Sequence, residues 1–444
     1  MNDVSKHQSD AFSTNPRLLW LAIVLVGVVY FYVGHNFHVS QYERYAPWSD
    51  ADGGTIEAGG NYAKGLALSL IGLLGLGLLF LRQGRPLQTV GWLPAMMIFY
   101  LTWSAASVFW SDDPGLSCRR LAVLMFCVLG ALGFARQFQP RDIVVMAMVI
   151  SGAYLLVGVG TELALGTFRP WIPGYRFAGT VHPNTQGGHL TVFCLASFWL
   201  ARSMKREQAW LWTLFAVGLL FLLLTKSRTS CAALVTAIAV PWLANSTVHT
   251  RVQTFVFAGF VLCAAALLGS LFNLAIEDRA TKLVMLGRQE ESSNLTGRLP
   301  IWAELSNYIR AKPLMGYGYE SFWTSKHIEA VSDEMHWPLR EAHNAYIDSL
   351  LGIGLIGTST LLAIVILSLF QSVKAFRRTA DPGFAFTLSM IVFGLFNACL
   401  ESGMGGPNFI TLMAGSGIAQ LLTLPTPLTE HDRNPAVAGN PVHN

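Results

Sequence analysis

The sequence contains few charged residues, and its cysteines do not form a recognisable metal motif. Only 13% of the 444 residues are Asp, Glu, Lys or Arg, whereas an ordinary soluble domain carries about 25%. The six cysteines show no paired spacing of the kind that binds zinc. The first absence argues against a soluble globular domain, and the second argues against a metal-binding module.

Long apolar runs are abundant instead, and hydrophobic residues make up 52% of the chain. Runs such as LALSLIGLLGLGLLFL approach the roughly 20 residues that a helix needs to cross a hydrocarbon core of about 30 Å. They lack the alternation of barrel strands, and a helix satisfies its own backbone hydrogen bonds. We therefore predict an all-α polytopic membrane protein. By this length criterion it has about 12 transmembrane helices, near residues 18–34, 63–81, 91–110, 120–135, 143–164, 186–201, 208–224, 229–244, 252–272, 346–371, 383–400 and 408–424.

The distribution of Lys and Arg predicts the orientation of these helices. Short cytoplasmic loops are rich in both residues, and alternate connections carry such clusters at 82–85, 136–141, 202–206 and 374–378. Both termini are then cytoplasmic, and the long connection lies outside. The predicted organisation is a tail over 1–17, helices 1–9 over 18–272, a large outer loop over 273–345, helices 10–12 over 346–424 and a tail over 425–444.

The outer loops hold more cations than this rule predicts. Lys226 and Arg228 lie in the very short TKSRTS hairpin, which has no acid nearby in the sequence. Two such cations at the mouth of a bundle indicate an anionic partner, and an arginine fork suits phosphate oxygens. Arg288, Arg298 and Arg340 lie in the long loop, where acids are also present, so ion pairing within the loop is an alternative role for them.

The glycines of GIGLIG, residues 352–357, fit the spacing of a dinucleotide-binding loop, but their surroundings do not. Such a loop needs a preceding strand and an acid about 20 residues further on, and neither is present. We interpret Gly352, Gly354 and Gly357 as small residues that allow a neighbouring helix to approach closely. At about 3.6 residues per turn, His343 and Gly354 would share one face of this helix, with His343 at its outer end.

The segment HNAYIDSLLGIGLIG, residues 343–357, resembles a motif of O-antigen ligases. That motif is His-Asn, nine residues and Gly-x-x-Gly, and His343, Asn344, Gly354 and Gly357 stand in its defined positions. SRT at 227–229 and GRLPIWAELSNYIRAKPLMGYGYESF at 297–322 are also similar to segments of the O-antigen ligase and polymerase superfamily. Together these segments favour the ligases.

The resemblance implies a membrane-embedded glycosyltransferase fold of the GT-C type, with the large loop between helices 9 and 10 in the periplasm. The implied reaction is an inverting, metal-independent transfer of O-antigen glycan from undecaprenyl diphosphate to a sugar hydroxyl of lipid A-core. It would take place at the periplasmic face of the bacterial inner membrane. The implied partners are the lipid-linked donor, lipid A-core and membrane lipids, with no nucleic acid, cofactor or metal.

Such a transfer needs a deprotonated acceptor hydroxyl and a neutralised diphosphate. A histidine suits the first task near neutral pH, so we assign His343 as general base or as the group that orients the acceptor. Arg228 and Arg298 are the first choices for binding diphosphate, with Lys226, Arg288 and Arg340 as weaker ones. Supporting or acceptor-side roles fall to Asn344, Arg176, Asn184, Glu341 and Glu401, with a loop turn or a solvated helix end as the alternative. Glu341 orients His343 only if it lies in the loop, because residues two apart do not face each other on a helix.

Three other functions remain open on the sequence. An O-antigen polymerase uses the same donor but extends a growing glycan, and a protein-targeting oligosaccharyltransferase usually carries a further C-terminal region. A membrane transporter of a lipid-linked or anionic substrate is expected to show internal repeats, and none is clear in this chain.

Overall fold

The computed structural model describes residues 14–34, 62–247, 293–335, 339, 341–402 and 406–424. These residues form helices joined by turns and loops, without a strand. Numbered in chain order over this part of the chain, the helices are α1 (Pro16–Gly34), α2 (Tyr62–Phe80), α3 (Trp92–Ala106, extended by a 3₁₀ turn, Ser107–Trp110), α4 (Pro114–Gln137), α5 (Pro140–Ala164), α6 (Pro183–Ser203), α7 (Gln208–Leu224), α8 (Arg228–Asn245), α9 (Ser293–Ala311), α10 (Ser325–Met335), α11 (Ala345–Thr379), α12 (Pro382–Ala398) and α13 (Phe409–Leu421).

The predicted helices are present wherever the structure describes the chain. Only the span predicted at 252–272 lies outside the described residues. Within these residues, 6 helices are long and apolar enough to cross a membrane, namely α1, α2, α3 with its 3₁₀ turn, α4, α5 and α11. Helices α7, α8, α12 and α13 are apolar but shorter. The part of the chain that the structure describes is thus all-helical, as expected of a polytopic membrane protein, and the total of about 12 spans stays a prediction.

Helix starts follow local capping chemistry. Asp113 caps α4 by accepting a hydrogen bond from Leu116 N at 2.9 Å, and Pro114 occupies the first turn. Proline suits that position because the first backbone N–H groups of a helix have no partner within it. The helix therefore begins at Pro114, whereas the hydropathy pattern alone predicts a start near residue 120.

Two hydrogen bonds join connections that the Lys and Arg pattern assigns to the same side of the membrane. At one end, Arg176 Nε donates to Thr225 O at 2.9 Å, which joins the α5–α6 loop to the α7–α8 turn. At the other end, Arg85 N donates to Arg136 O, in the last turn of α4, at 2.8 Å, and both residues belong to clusters assigned to the cytoplasm. We call the first end the outer end; that it faces the periplasm remains a prediction.

The described part of the large loop folds into a helical module with its own hydrophobic core. Helices α9 and α10, the 312–324 segment and the first turns of α11 contribute to that core, which contains Ile301, Leu305, Tyr317, Phe322, Val331, Leu339, Ala342 and Leu351. We call residues 293–353 the outer module. Its core extends beyond residue 345, where the sequence pattern ends the loop, because Leu351 packs with it.

Helix α11 is broken at Gly354, where the sequence pattern predicts one continuous span over 346–371. Gly354 has φ 64° and ψ −171°, a conformation essentially restricted to glycine. At about 1.5 Å per residue, the part from Leu355 to Thr379 is roughly 37 Å long. That length alone crosses a core of about 30 Å, so the first turns of α11 belong to the outer module.

The backbone groups exposed by this break are satisfied from outside the helix. On the donor side, Leu355 N bonds Pro313 O at 2.8 Å and Ile356 N bonds Leu314 O at 3.3 Å. Three carbonyls accept from elsewhere: Leu351 O from Tyr317 N at 2.7 Å, Gly352 O from Gly318 N at 2.9 Å and Ile353 O from Trp103 Nε1 at 3.0 Å. The PLMGYG segment, residues 313–318, therefore fills the gap in α11. Irregular backbone of this kind is tolerated beside a membrane where protein surrounds it.

Candidate active site

His343 lies in the loop before α11 and not on the helix. Its φ is 50°, in the left-handed region. Both backbone polar groups of the preceding residue, Ala342, are hydrogen-bonded. Ala342 N donates to Asp348 Oδ1 at 3.2 Å, and Ala342 O accepts from Trp302 Nε1 at 2.9 Å. The outer module therefore fixes the backbone that presents His343.

Asn344 anchors the other side of His343. Its Oδ1 accepts from Tyr346 N at 3.0 Å and from Ile347 N at 3.1 Å, which makes Asn344 the N-cap of α11. Its backbone N–H donates to Ser402 Oγ at 3.2 Å. The His-Asn pair thus ties the start of α11 to the loop that follows α12.

The predicted shared helical face of His343 and Gly354 is therefore wrong. His343 precedes the helix, and Gly354 interrupts it. The predicted packing partner also differs. A Cβ on Gly354 would lie 2.2 Å from Leu314 O, in the outer module, and a Cβ on Gly357 would lie 2.6 Å from Ile353 of the same helix.

Glu341 forms an ion pair with His343. Both residues lie in the loop, the condition that the sequence set for this pairing, and Glu341 Oε1 is 2.9 Å from His343 Nδ1. This contact raises the pKa of His343 above its ordinary value of 6.5, while burial of the ring acts in the opposite direction. The charge of Glu401 also raises this pKa, and that of Arg298 lowers it.

Glu401 lies just after α12, next to Ser402, whose hydroxyl accepts from Asn344 N. Burial raises the pKa of its carboxyl group, and the cations Arg298 and His343 oppose that effect. The influence of Arg298 on both His343 and Glu401 places its guanidinium within electrostatic reach of both groups. Three separate segments thus bring together a base, a cation and an acid.

Arg176 and Asn184 extend this cluster toward α6. Arg176 Nη2 donates to Asn184 Oδ1 at 2.8 Å, and Asn184 Nδ2 donates to Glu401 Oε1 at 3.1 Å. Arg176 also donates through Nε to Thr225 O, as described above. The TKSRTS hairpin therefore lies against the same group of residues.

Within that hairpin, Lys226 adopts a positive φ of 53° and Arg228 is the first residue of α8. The N-terminus of a helix carries a partial positive charge and attracts anions, so the position of Arg228 is favourable for a phosphate. Arg288 and Arg340 lie outside the described residues. Among the residues described, no group of three or more His, Cys, Asp and Glu side chains could hold a metal ion.

Comparison with known proteins supports the sequence resemblance. Residues 213–362 match the family model described as O-Antigen ligase. The resemblance to the O-antigen ligase superfamily is confirmed. We call this stretch the O-antigen ligase segment; it contains His343, Arg228 and Arg298, whereas Arg176 and Glu401 lie outside it.

Two curated proteins are similar to the chain over a longer stretch. Exopolysaccharide production protein ExoQ of Rhizobium meliloti (strain 1021) is 25% identical over 315 residues, which cover 68% of this chain and 69% of ExoQ. General O-oligosaccharyltransferase of Acinetobacter baylyi (strain ATCC 33305 / BD413 / ADP1) is 24% identical over 303 residues, which cover 64% of this chain and 52% of that protein. The match therefore spans about half the length of the second relative.

Three further residues hold the site together, and sequence reasoning overlooked the last of them, Glu162. Trp302, within the O-antigen ligase segment, fixes Ala342, and Asp348 accepts hydrogen bonds from Ala342 N and from Trp323 Nε1 at 2.8 Å. Glu162, outside that segment, is fully buried near the end of α5. A signal was available for Glu162, because an acid within a membrane span is rare and usually faces a partner.

Proposed function

We propose that the protein is an inverting, metal-independent glycosyltransferase that joins a lipid-linked O-antigen glycan to lipid A-core. The donor is undecaprenyl-diphosphate glycan, the acceptor is a sugar hydroxyl, and the reaction takes place at the periplasmic face of the inner membrane. Twelve spans in a GT-C-type arrangement are part of the proposal. One observation carries it: His343 lies within the O-antigen ligase segment, beside Glu341 and within electrostatic reach of Arg298 and Glu401.

In this mechanism His343 removes the proton from the acceptor hydroxyl. Because Nδ1 faces Glu341, we assign Nε2 as the proton acceptor. The acceptor oxygen forms a bond to the anomeric carbon as the bond from that carbon to the diphosphate oxygen breaks on the opposite face, which inverts the configuration. Arg298 and Arg228 stabilise the negative charge that develops on the departing undecaprenyl diphosphate.

Arg176, Asn184 and Glu401 form the acceptor side in this proposal. Glu401 lies near His343, so its carboxyl group is placed to orient a second hydroxyl of the acceptor sugar. Arg176 and Asn184 keep Glu401 in position through the hydrogen bonds described above. Lys226 adds positive charge at the mouth of the site and contributes to attraction of the anionic donor.

Transfer to a protein is a second candidate function. It is favoured by the similarity to an enzyme named General O-oligosaccharyltransferase. The same base and cations would serve this reaction, since only the acceptor hydroxyl differs. The acceptor therefore has to be identified by experiment.

The decisive experiment supplies the purified protein with undecaprenyl-diphosphate glycan, lipid A-core and an unglycosylated acceptor protein, in the presence of a chelator. Glycan attached to lipid A-core supports the ligase. Glycan attached to the protein identifies an oligosaccharyltransferase, and a lengthened glycan on its carrier identifies a polymerase. Transfer that occurs only after Mg²⁺ is restored would refute metal independence. Movement of intact donor across vesicles, without a new glycosidic bond, would identify a transporter.

The pH dependence of transfer is expected to report the ion pair between Glu341 and His343. Only neutral His343 accepts a proton, and its pKa is raised, so the rate should increase with pH through a midpoint above the ordinary value of 6.5. Glu341→Gln removes the charge that raises this pKa, so the midpoint should move to lower pH. Initial rates measured over a pH series test this.

Glu329→Gln provides the matched control, because Glu329 is an exposed acid of the same outer module. Its pH profile should coincide with that of the wild type. An unchanged midpoint in Glu341→Gln would show that the ion pair with Glu341 does not set the pKa that controls the rate.

A further inference from the structure

Glu162 is a buried acid whose carboxylate accepts three hydrogen bonds from one loop. Its side chain lies near the end of α5 and is 0% exposed. Oε1 accepts from Ala178 N at 3.0 Å and from Gly179 N at 2.9 Å, and Oε2 accepts from the Tyr175 hydroxyl at 2.6 Å. A buried polar group needs such partners, because an unsatisfied one is costly to bury.

These three donors surround Arg176 in the chain. Tyr175 precedes it directly, and Ala178 and Gly179 follow two and three residues later. Glu162 therefore holds the loop on both sides of Arg176. From this loop the guanidinium reaches Thr225 O at 2.9 Å and Asn184 Oδ1 at 2.8 Å.

The loop that carries Arg176 also packs against α5 and forms a backbone hydrogen bond to α7. A Cβ on Gly158 would lie 3.0 Å from Gly179 Cα, and Gly179 itself has a positive φ of 61°. Phe177 N donates to Leu224 O at 2.8 Å. The backbone around Arg176 is therefore fixed by packing and by hydrogen bonds, which leaves its side chain a narrow range of positions.

We infer that Glu162 is a positioning residue for glycan transfer, acting through Arg176 and the contacts that Arg176 makes with Asn184 and Thr225. This inference rests on the proposed function. In this role Glu162 does not touch the substrate. Its carboxyl group fixes the position of the loop at residues 175–179, and that loop orients the guanidinium of Arg176. Small displacements of a positioned group reduce rates strongly, by up to about 10²-fold for a shift near 1 Å.

A double-mutant cycle separates this role from a general effect on folding. Glu162→Ala should lower kcat/KM for transfer by on the order of 10-fold to 10²-fold, and Arg176→Ala should lower it at least as much. If Glu162 acts through Arg176, the double variant should equal Arg176→Ala, since coupled residues are not additive. Losses that multiply in the double variant would overturn the inference.

Two further variants keep the test valid if Glu162→Ala does not fold. Glu162→Gln keeps an oxygen for Ala178 N and Gly179 N, and its amide can donate to the Tyr175 oxygen, so it should restore most of the lost activity. Tyr175→Phe removes one of the three hydrogen bonds and should cause a smaller loss, which disappears in the Arg176→Ala background. A loss from Tyr175→Phe that persists in that background would also overturn the inference.

Failure of the inference and failure of the proposed function give different results. A wild-type protein that transfers glycan to none of the acceptors would refute the proposed function. A wild-type protein that transfers glycan, combined with independent effects of Glu162 and Arg176, would refute only the positioning role.

Discussion

Replacing His343 with alanine is expected to reduce glycan transfer by about 10²-fold to 10⁴-fold, the range typical of removing a general acid or base. The loss should appear in kcat, because the imidazole acts on the acceptor hydroxyl in the transition state. Donor binding should change little, since Arg298 and Arg228 are retained. Transfer to lipid A-core and binding of undecaprenyl-diphosphate glycan are measured separately on the same preparation.

His343→Gly is the second variant for this prediction. The loop conformation at residue 343 has a φ of 50°, which glycine adopts without steric cost. The glycine variant should therefore unfold at the same temperature as the wild type or higher, yet be as inactive as His343→Ala. Activity retained in either variant would exclude His343 as the base.

Gly354→Ala is expected to destabilise the protein strongly, although it adds only one methyl group. The new Cβ would lie 2.2 Å from Leu314 O, so the 313–318 segment would have to move. The dihedral angles of residue 354 add a cost of about 1–3 kcal/mol for a residue other than glycine. The bonds from Leu355 N and Ile356 N would be lost with the displaced segment, and transfer activity should fall with them.

Gly77→Ala is the matched control, because it adds the same methyl group inside helix α2. There, apart from the adjacent backbone of the helix itself, no atom of the described residues lies within 4 Å of the new carbon. Alanine is favoured over glycine in a helix by up to about 1 kcal/mol, so this variant should be as stable as the wild type or slightly more stable. Thermal unfolding of both variants in the same detergent or lipid disc provides the measurement. Equal unfolding temperatures would show that Gly354 is not a tight contact.

The apolar helices were predictable because long runs of apolar residues can be read directly from the sequence. The start of α11 was predicted to within one residue, at 346 instead of 345. The same reasoning nevertheless placed His343 on the helix, although an Asn such as Asn344 before an apolar run is typical of a helix N-cap. The break at Gly354 was not predictable. A glycine within an apolar run does not reveal whether another segment lies against it, and in this protein that segment is residues 313–318, far away in the sequence.

The candidate active site was likewise predictable only in part. Loops that the Lys and Arg pattern assigns to the same side do meet, and Glu341 lies in the loop beside His343. The bond between Asn184 and Glu401 joins residues far apart in sequence, and no local pattern encodes it. Glu162 could have been noticed as an acid within an apolar run, but its partners could not have been predicted. They are mainly backbone N–H groups, which every residue except proline carries and which the sequence therefore does not distinguish.

The exchange of backbone hydrogen bonds at the break in α11 has a consequence for biogenesis. Residues 313–318 emerge from the ribosome before residues 351–356, so their donors and acceptors already exist when α11 is made. The open backbone can then pair at once with a segment of the same chain and need not face the lipid. Deleting that segment would leave the backbone donors and acceptors at the break in α11 without these partners, and unsatisfied backbone groups are costly beside lipid.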